Sequence, residues 1–424
     1  MIYLFLACSG GDSSDVDPKS GGDSIDVEPK ETPTDEVIIG KTYYQDVAPI
    51  LSDNCLSCHT DEGSGPFSFD TYENVKALGS MIEYSVTQRR MPPFHANNSG
   101  ECQEFEHSIW LSDDEISTIS EWVEGGMQEG EFVDIERNTI EEAPFQSTHT
   151  VTFEPYEANF ATSSDDYRCF IVEPNVEEEG YLTGFEVLPS NREIAHHMIL
   201  YAPRDSNALN QAYAKDEADP GPGYSCYGDP GVDNRMIAPW APGSDQWFYP
   251  EGTGVRMEEG QILILQMHYS NASEDPLDST TVNLHIQETI DKELYTEFFV
   301  HSDIEIPANT TDHIEKSKKK VSTYSGYDGP ILLQSIGPHL HKLGVSSSAK
   351  VIREDGTEEC LIDVPNYDFN WQRVYTYSNP ILLNPNDKLE IECVFDSTGV
   401  DQTTYWGDGT SDEMCLMTVF ATLP

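Results

Sequence analysis

The chain has 424 residues and a formal net charge of −53, from 23 Lys and Arg against 76 Asp and Glu. A surface this acidic is repelled by nucleic acid and by anionic membrane surfaces, and nucleic-acid binding is excluded. The length is enough for roughly two to four domains, each with its own core.

Met1 to Ala7 are apolar and lead into Leu6-Ala7-Cys8-Ser9-Gly10-Gly11, which resembles the end of a bacterial lipoprotein signal peptide. The resemblance implies cleavage before Cys8, lipid on its thiol, and export to the periplasm or cell surface as a membrane-anchored protein. The apolar stretch is too short to span a bilayer, and the basic residues that open a signal peptide are missing, as a misassigned start codon would explain. Residues 1–8 are therefore read as a signal remnant and 9–40 as an acidic linker. That linker carries the near-repeat Gly-Gly-Asp-Ser-x-Asp-Val-(Asp/Glu)-Pro-Lys and is too polar to offset the entropy of ordering.

Residues 41–131 read as helical. Tyr43 to Leu51, Tyr72 to Val86 and Ser112 to Met127 have apolar residues at helical spacing. The third opens with a capping box, Ser112-Asp-Asp-Glu115, and puts Ile116, Ile119, Trp122 and Val123 on one face. Cys55-Leu-Ser-Cys58-His59 gives two thiols three apart, able to bond the vinyl groups of a haem c, and an imidazole beside them to ligate the iron. The competing reading is a zinc site with a fourth ligand nearby. Arg89-Arg90-Met91-Pro92-Pro93-Phe94 resembles the segment that brings a methionine to the iron in class I cytochromes c, which makes Met91 the sixth ligand, with His95 as competitor. A small all-α cytochrome c domain is expected here.

Past Glu131 the pattern changes to short alternating or apolar runs, such as Leu182 to Leu188, Gln261 to Tyr269, Ile331 to Ile336 and Lys388 to Phe395, separated by turn residues. The pattern predicts two all-β antiparallel sandwich, jelly-roll-like domains at 145–288 and 292–424. Lys316-Ser-Lys-Lys-Lys320, a basic run, is read as an exposed strand or loop.

Four motifs carry a family resemblance. Glu193-Ile-Ala-His196-His197-Met198, Leu265-Gln-Met-His268-Tyr269, His339-Leu-His341-Lys-Leu-Gly344 and Ser411-Asp-Glu-Met414-Cys415 resemble, in order, the metal motifs of copper type II ascorbate-dependent monooxygenases, the peptidylglycine α-hydroxylating and dopamine β-monooxygenase type. The resemblance implies two copper ions. His196, His197 and His268 would hold the one that passes electrons, and His339, His341 and Met414 the one that meets dioxygen. Ligand chemistry agrees, because imidazole suits both oxidation states whereas a thioether favours Cu(I). His339 and His341 are two apart and share one face of a strand. His196 and His197 are adjacent, so a bulge or strand end is predicted there. Gln266 shares a strand face with His268 and is a candidate supporting residue. His107, His149, His285, His301 and His313 match no motif and are read as ordinary surface or core histidines.

The resemblance also implies the disulfides Cys393–Cys415 and Cys169–Cys226; Cys102 and Cys360 then remain, and their pairing would tie the helical region to the β domains. Amidating members place an Arg two residues before the first His of the His-x-His motif, and Asn and Tyr just after the metal Met, to hold a substrate carboxylate. This chain has Gly337, Leu416 and Thr418 there, which favours a neutral or hydrophobic small molecule. The expected function is hydroxylation of a C–H bond with dioxygen, with electrons from ascorbate or a redox protein passing through the haem. The alternative is an exported copper-binding electron carrier or copper-storage lipoprotein without oxygenase chemistry.

Overall fold

The computed structural model describes residues 40–61, 65, 67–134, 144–240, 246–369, 371–407, 409 and 411–424. Cys8 and almost all of the expected linker lie outside the described residues. Gly40 to Pro424 form one compact unit.

Three helices open it: α1 (Ala48–Asn54), α2 (Tyr72–Thr87) and α3 (Asp113–Glu124). Helix α2 starts where the Thr71 hydroxyl accepts the Asn74 N–H, and it buries Val75, Ile82 and Val86 along one stripe. Helix α3 starts at the capping box, with the Ser112 hydroxyl accepting the Glu115 N–H and the Glu115 carboxylate accepting that of Ser112. Trp122 is fully buried between these helices and donates its indole N–H to the Gln128 carbonyl.

The remainder is β structure, and here the expected fold class is corrected. The chain is mostly β-sheet, and among the described residues of 41–131 no small all-α domain stands apart. The reason lies between α2 and α3. The segment from Met91 to Leu111 forms no helix, and its Phe94, Ala96 and Phe105 are buried in a β core made by residues more than two hundred positions later. Burying a Phe contributes about 1.5–3 kcal/mol, so the helical region takes part of its stability from the sheets. Pro92-Pro93 prevents α2 from continuing.

Among the described residues the strands form nine-, five- and four-stranded sheets and two short pairs. The largest sheet runs through both halves of the β region. Its first half contains Gly180–Leu188 and Thr253–Met257; its second contains Lys292–Val300, Ile331–His339 and Leu416–Thr422. A parallel pair, Lys292 opposite Thr253 and Glu293 opposite Gly254, joins the halves. The five-stranded sheet covers the first half over a core with Phe170, Phe185, Leu200 and Leu265. The four-stranded sheet covers the second half over a core with Leu333, Ile391 and Val419. The basic run lies on the strand His313–Lys320, where Lys316 and Lys318 pair with Glu392 and Glu390 of the neighbouring strand.

Three disulfides join Cys102 to Cys360, Cys169 to Cys226 and Cys393 to Cys415. Among the described residues no helix is long and apolar enough to cross a membrane.

Candidate metal centre

Six strands position the metal-binding side chains: β1 (Asp165–Val172), β2 (Ala195–Pro203), β3 (Leu263–Ser270), β4 (Ile331–His339), β5 (Tyr375–Leu383) and β6 (Leu416–Thr422). Strand β3 runs between β1 and β2, with His268 opposite both Tyr167 and His197. The register then slips, so that Tyr269 faces Ala195 and His196 faces no residue of β3. This is the bulge that adjacent ligands require, and it brings both imidazoles of the pair to the same side as His268.

The three imidazoles form a cluster whose ligand atoms lie within 4.8 Å of one another. Nδ1 of His197 is 3.3 Å from Nδ1 of His196 and 3.2 Å from Nδ1 of His268. His268 donates its Nε2–H to Asp165 Oδ1 at 2.9 Å, which fixes the tautomer and turns the Nδ1 lone pair inward. Tyr167 lies flat on the His268 ring, 4.1 Å between centroids. Burial, followed by the neighbouring imidazoles, holds His196 down to about 3 and His197 well below the usual range, so both rings stay neutral. Inward lone pairs on three imidazoles suit a borderline cation such as copper. The Gln266 side chain is engaged by the disulfide: its Nε2 lies 3.6 Å from Cys226 Sγ.

The second set is built at the end of β4, which pairs with β6 so that His339 stands opposite Leu416. Met414 comes two residues before Leu416 and is therefore delivered beside the His339-Leu-His341 turn. Glu413 holds the two segments together. Its fully buried carboxylate accepts the backbone N–H of His341 at 2.9 Å, of Leu343 at 2.6 Å and of Met414 at 3.3 Å. Oε2 takes both the His341 and the Met414 N–H. Burial pushes the Glu413 carboxyl up to about 7, against the opposing effect of these donors.

His339 donates Nδ1–H to Gln372 Oε1 at 2.5 Å, and His341 donates Nδ1–H to the Asp412 carbonyl at 2.9 Å. Both rings thus keep Nε2 for a metal, the opposite nitrogen from the one presented by the trio. Burial holds His339 down to about 3 and lowers His341. The Phe369 ring lies 5.0 Å from His196 and 6.1 Å from His341, so one aromatic side chain touches both sets. Tyr227 of the first half donates its hydroxyl to Asp412 Oδ2 at 3.1 Å.

The positions where a carboxylate-binding trio would stand are adjacent on the sheet, with Thr418 opposite Gly337 and Leu416 opposite His339. A Cβ at Gly337 would come 2.9 Å from the Arg373 carbonyl oxygen, so no side chain fits there.

Apart from these two sets, Cys55 and Cys58 are unpaired cysteines just beyond α1. Burial pushes the Cys55 thiol up to about 12. His59 donates Nδ1–H to the Phe67 carbonyl at 2.9 Å, which leaves its Nε2 free to ligate. Met91 is part-buried, and the backbone N–H of His95 donates to the Tyr375 hydroxyl.

Asp165, Gln372, Glu413 and Phe369 were not singled out from sequence. Only Glu413, next to Met414, carried a local signal, as a carboxylate adjoining a metal ligand.

Comparison with known proteins adds to this geometry. The profile for the copper type II ascorbate-dependent monooxygenase N-terminal domain matches residues 149–276, and that for the C-terminal domain matches residues 298–420. Mouse DBH-like monooxygenase protein 2 is 26% identical over 287 residues, covering 62% of this chain and 44% of that protein. Peptidyl-glycine alpha-amidating monooxygenase A of Xenopus laevis is 24% identical over 264 residues, covering 60% of this chain and 26% of that protein. Dog dopamine beta-hydroxylase is 22% identical over 205 residues, covering 44% and 31%. The chain thus spans about half or less of the length of these relatives.

Proposed function

The chain belongs to the copper type II ascorbate-dependent monooxygenase family, and on that premise we propose that it is a copper-dependent monooxygenase hydroxylating a C–H bond of a small organic molecule with dioxygen. The observation that carries the reading is the pair of differently prepared donor sets. One presents three inward Nδ1 atoms from His196, His197 and His268. The other keeps two Nε2 atoms free at His339 and His341, with Met414 tied to the same carboxylate. An all-nitrogen set serves a copper that changes oxidation state, and a set with a thioether favours Cu(I). Bound in these places, copper would supply oxygen activation and one-electron transfer.

The chain's own residues supply the rest. Asp165, Gln372 and the Asp412 carbonyl hold the tautomers of His268, His339 and His341, so these three rings are already oriented with their other nitrogen towards the ion. Phe369 stands between the two sets, in ring contact with His196 and His341. The side-chain-free position at Gly337 and the apolar Leu416 favour an uncharged substrate over a carboxylate.

Cys55, Cys58 and His59 would hold a haem c, the two thiols as its covalent attachments and the imidazole as an iron ligand, and the group would supply electrons. What supports this is the unpaired state of both cysteines and the anchored His59 Nδ1. Met91 would be its second protein ligand to iron, and an external donor, ascorbate or a redox protein, would supply the electrons. The three disulfides fit an exported protein, and lipid on Cys8 anchors it.

The test is to incubate copper-loaded, reduced protein with a panel of neutral aliphatic and benzylic compounds under isotopically labelled dioxygen. One label per product molecule is expected. Copper bound at both sites with no label in any product would favour a copper carrier or store.

A further inference from the structure

Strand β4 stops at His339, whose ladder partner is Leu416. Leu340 and His341 lie past that end, so the two peptide groups that join the ligand histidines stand beyond the ladder. On a regular strand, residues two apart share a face. Past the end of β4 the ladder no longer keeps His341 on the face of His339.

Tyr367 takes over that task. Its hydroxyl accepts the Leu340 N–H at 3.1 Å and donates to the Leu340 carbonyl at 2.7 Å. The N–H belongs to the peptide joining His339 to Leu340, and the carbonyl to the peptide joining Leu340 to His341, so one side-chain atom grips both links. The second peptide is held at its other end too, because the His341 N–H donates to Glu413 Oε2 at 2.9 Å. The Leu340 side chain is fully buried in the core of the second half, which gives the grip a fixed base.

Tyr367 is itself anchored: its N–H donates to the Val345 carbonyl at 2.9 Å, and its ring packs against the same core. Further along the same stretch of chain, Phe369 is in ring contact with His341, and Gln372 accepts from His339 Nδ1. A single connection between strands therefore meets the second set at its backbone and at both of its imidazoles.

We infer that Tyr367 is a positioning residue for the second metal set: its hydroxyl fixes the His339-Leu340-His341 backbone so that both imidazoles present Nε2 to one ion. The inference rests on the copper reading above.

The experiment compares Tyr367→Phe with Tyr377→Phe in the full-length protein. Tyr377 is the control, because its buried hydroxyl donates to the carbonyl of Leu361, in a strand that carries no proposed ligand, at 2.9 Å. Each variant loses one hydroxyl from the second half and keeps its ring, and urea unfolding of metal-free protein is expected to show both folded with a lowered midpoint. Competition titration with Cu(I) then reads the two sets, each assigned by the binding that His341→Ala or His268→Ala abolishes. Tyr367→Phe is expected to weaken Cu(I) at His339–His341–Met414 by about 10-fold and to leave the trio unchanged, and Tyr377→Phe to keep wild-type affinity at both. Wild-type affinity at the His339 set in Tyr367→Phe, or an equal loss there in Tyr377→Phe or at the trio in Tyr367→Phe, would overturn the inference. Wild-type Cu(I) binding that His341→Ala leaves intact would instead overturn the copper reading.

Discussion

Replacing Glu413 by alanine tests how the thioether ligand is kept in place. The carboxylate takes three backbone N–H groups, two at good distance and one long. A buried donor left unpaired costs about 1–3 kcal/mol, so losing all three acceptor contacts costs roughly 3–6 kcal/mol. The raised Glu413 pKa shows that burying this charge opposes those bonds, which puts the expected loss near the lower end, about 3 kcal/mol. Glu413→Gln keeps one carbonyl oxygen for His341 and Met414 but turns an amide towards the Leu343 N–H, so it should be milder. Urea unfolding of metal-free protein reads the stability, and competition titration with Cu(I) reads each set. Weakened binding is expected at His339–His341–Met414 only. An unchanged urea midpoint together with wild-type Cu(I) binding in Glu413→Ala would refute the reasoning.

Other outcomes follow from the same geometry. Asp165→Asn removes the charge that orients His268 and should weaken copper at the trio by about 10–100-fold, leaving the other set unchanged in the same titration. Gln372→Leu should do the reverse, with a loss of about the same size confined to the His339 set. Gly337→Ala pushes a methyl against the Arg373 carbonyl and should lower stability by about 1–3 kcal/mol, read as a lower melting temperature. Cys102→Ser should cost about 2–5 kcal/mol in denaturant unfolding, because the Cys102–Cys360 bond closes a long loop.

The candidate ligand motifs stood out in the sequence because imidazole and thioether are donors that suit copper and because the histidines sit close together: adjacent at His196-His197, two apart at His339 and His341. Adjacency alone predicted the bulge at His196, since a regular strand would have turned the two rings apart. The residues that tune the ligands were not legible. Asp165 reaches His268 across 103 positions and Gln372 reaches His339 across 33, and nothing local separates them from any other Asp or Gln. The same distance explains the corrected fold class. Capping residues and apolar spacing announced the helices, but nothing local announced that Phe94 and Phe105 pack against Tyr375 and Tyr377. Where a side chain finds its partner some 280 positions away, composition and periodicity do not identify it.

Strand β5 is the last of its sheet, and its outer side is occupied by the chain before α3: the Glu106 N–H donates to the Thr376 carbonyl, and the Ser378 N–H to that of Glu104. A truncated protein starting at residue 145 would keep every copper ligand yet bare that rim, with Cys360 left as a lone thiol. Open strand rims recruit other chains, so such a fragment would be purified as cross-linked aggregate, and the boundary suggested by domain matching would be the wrong place to cut.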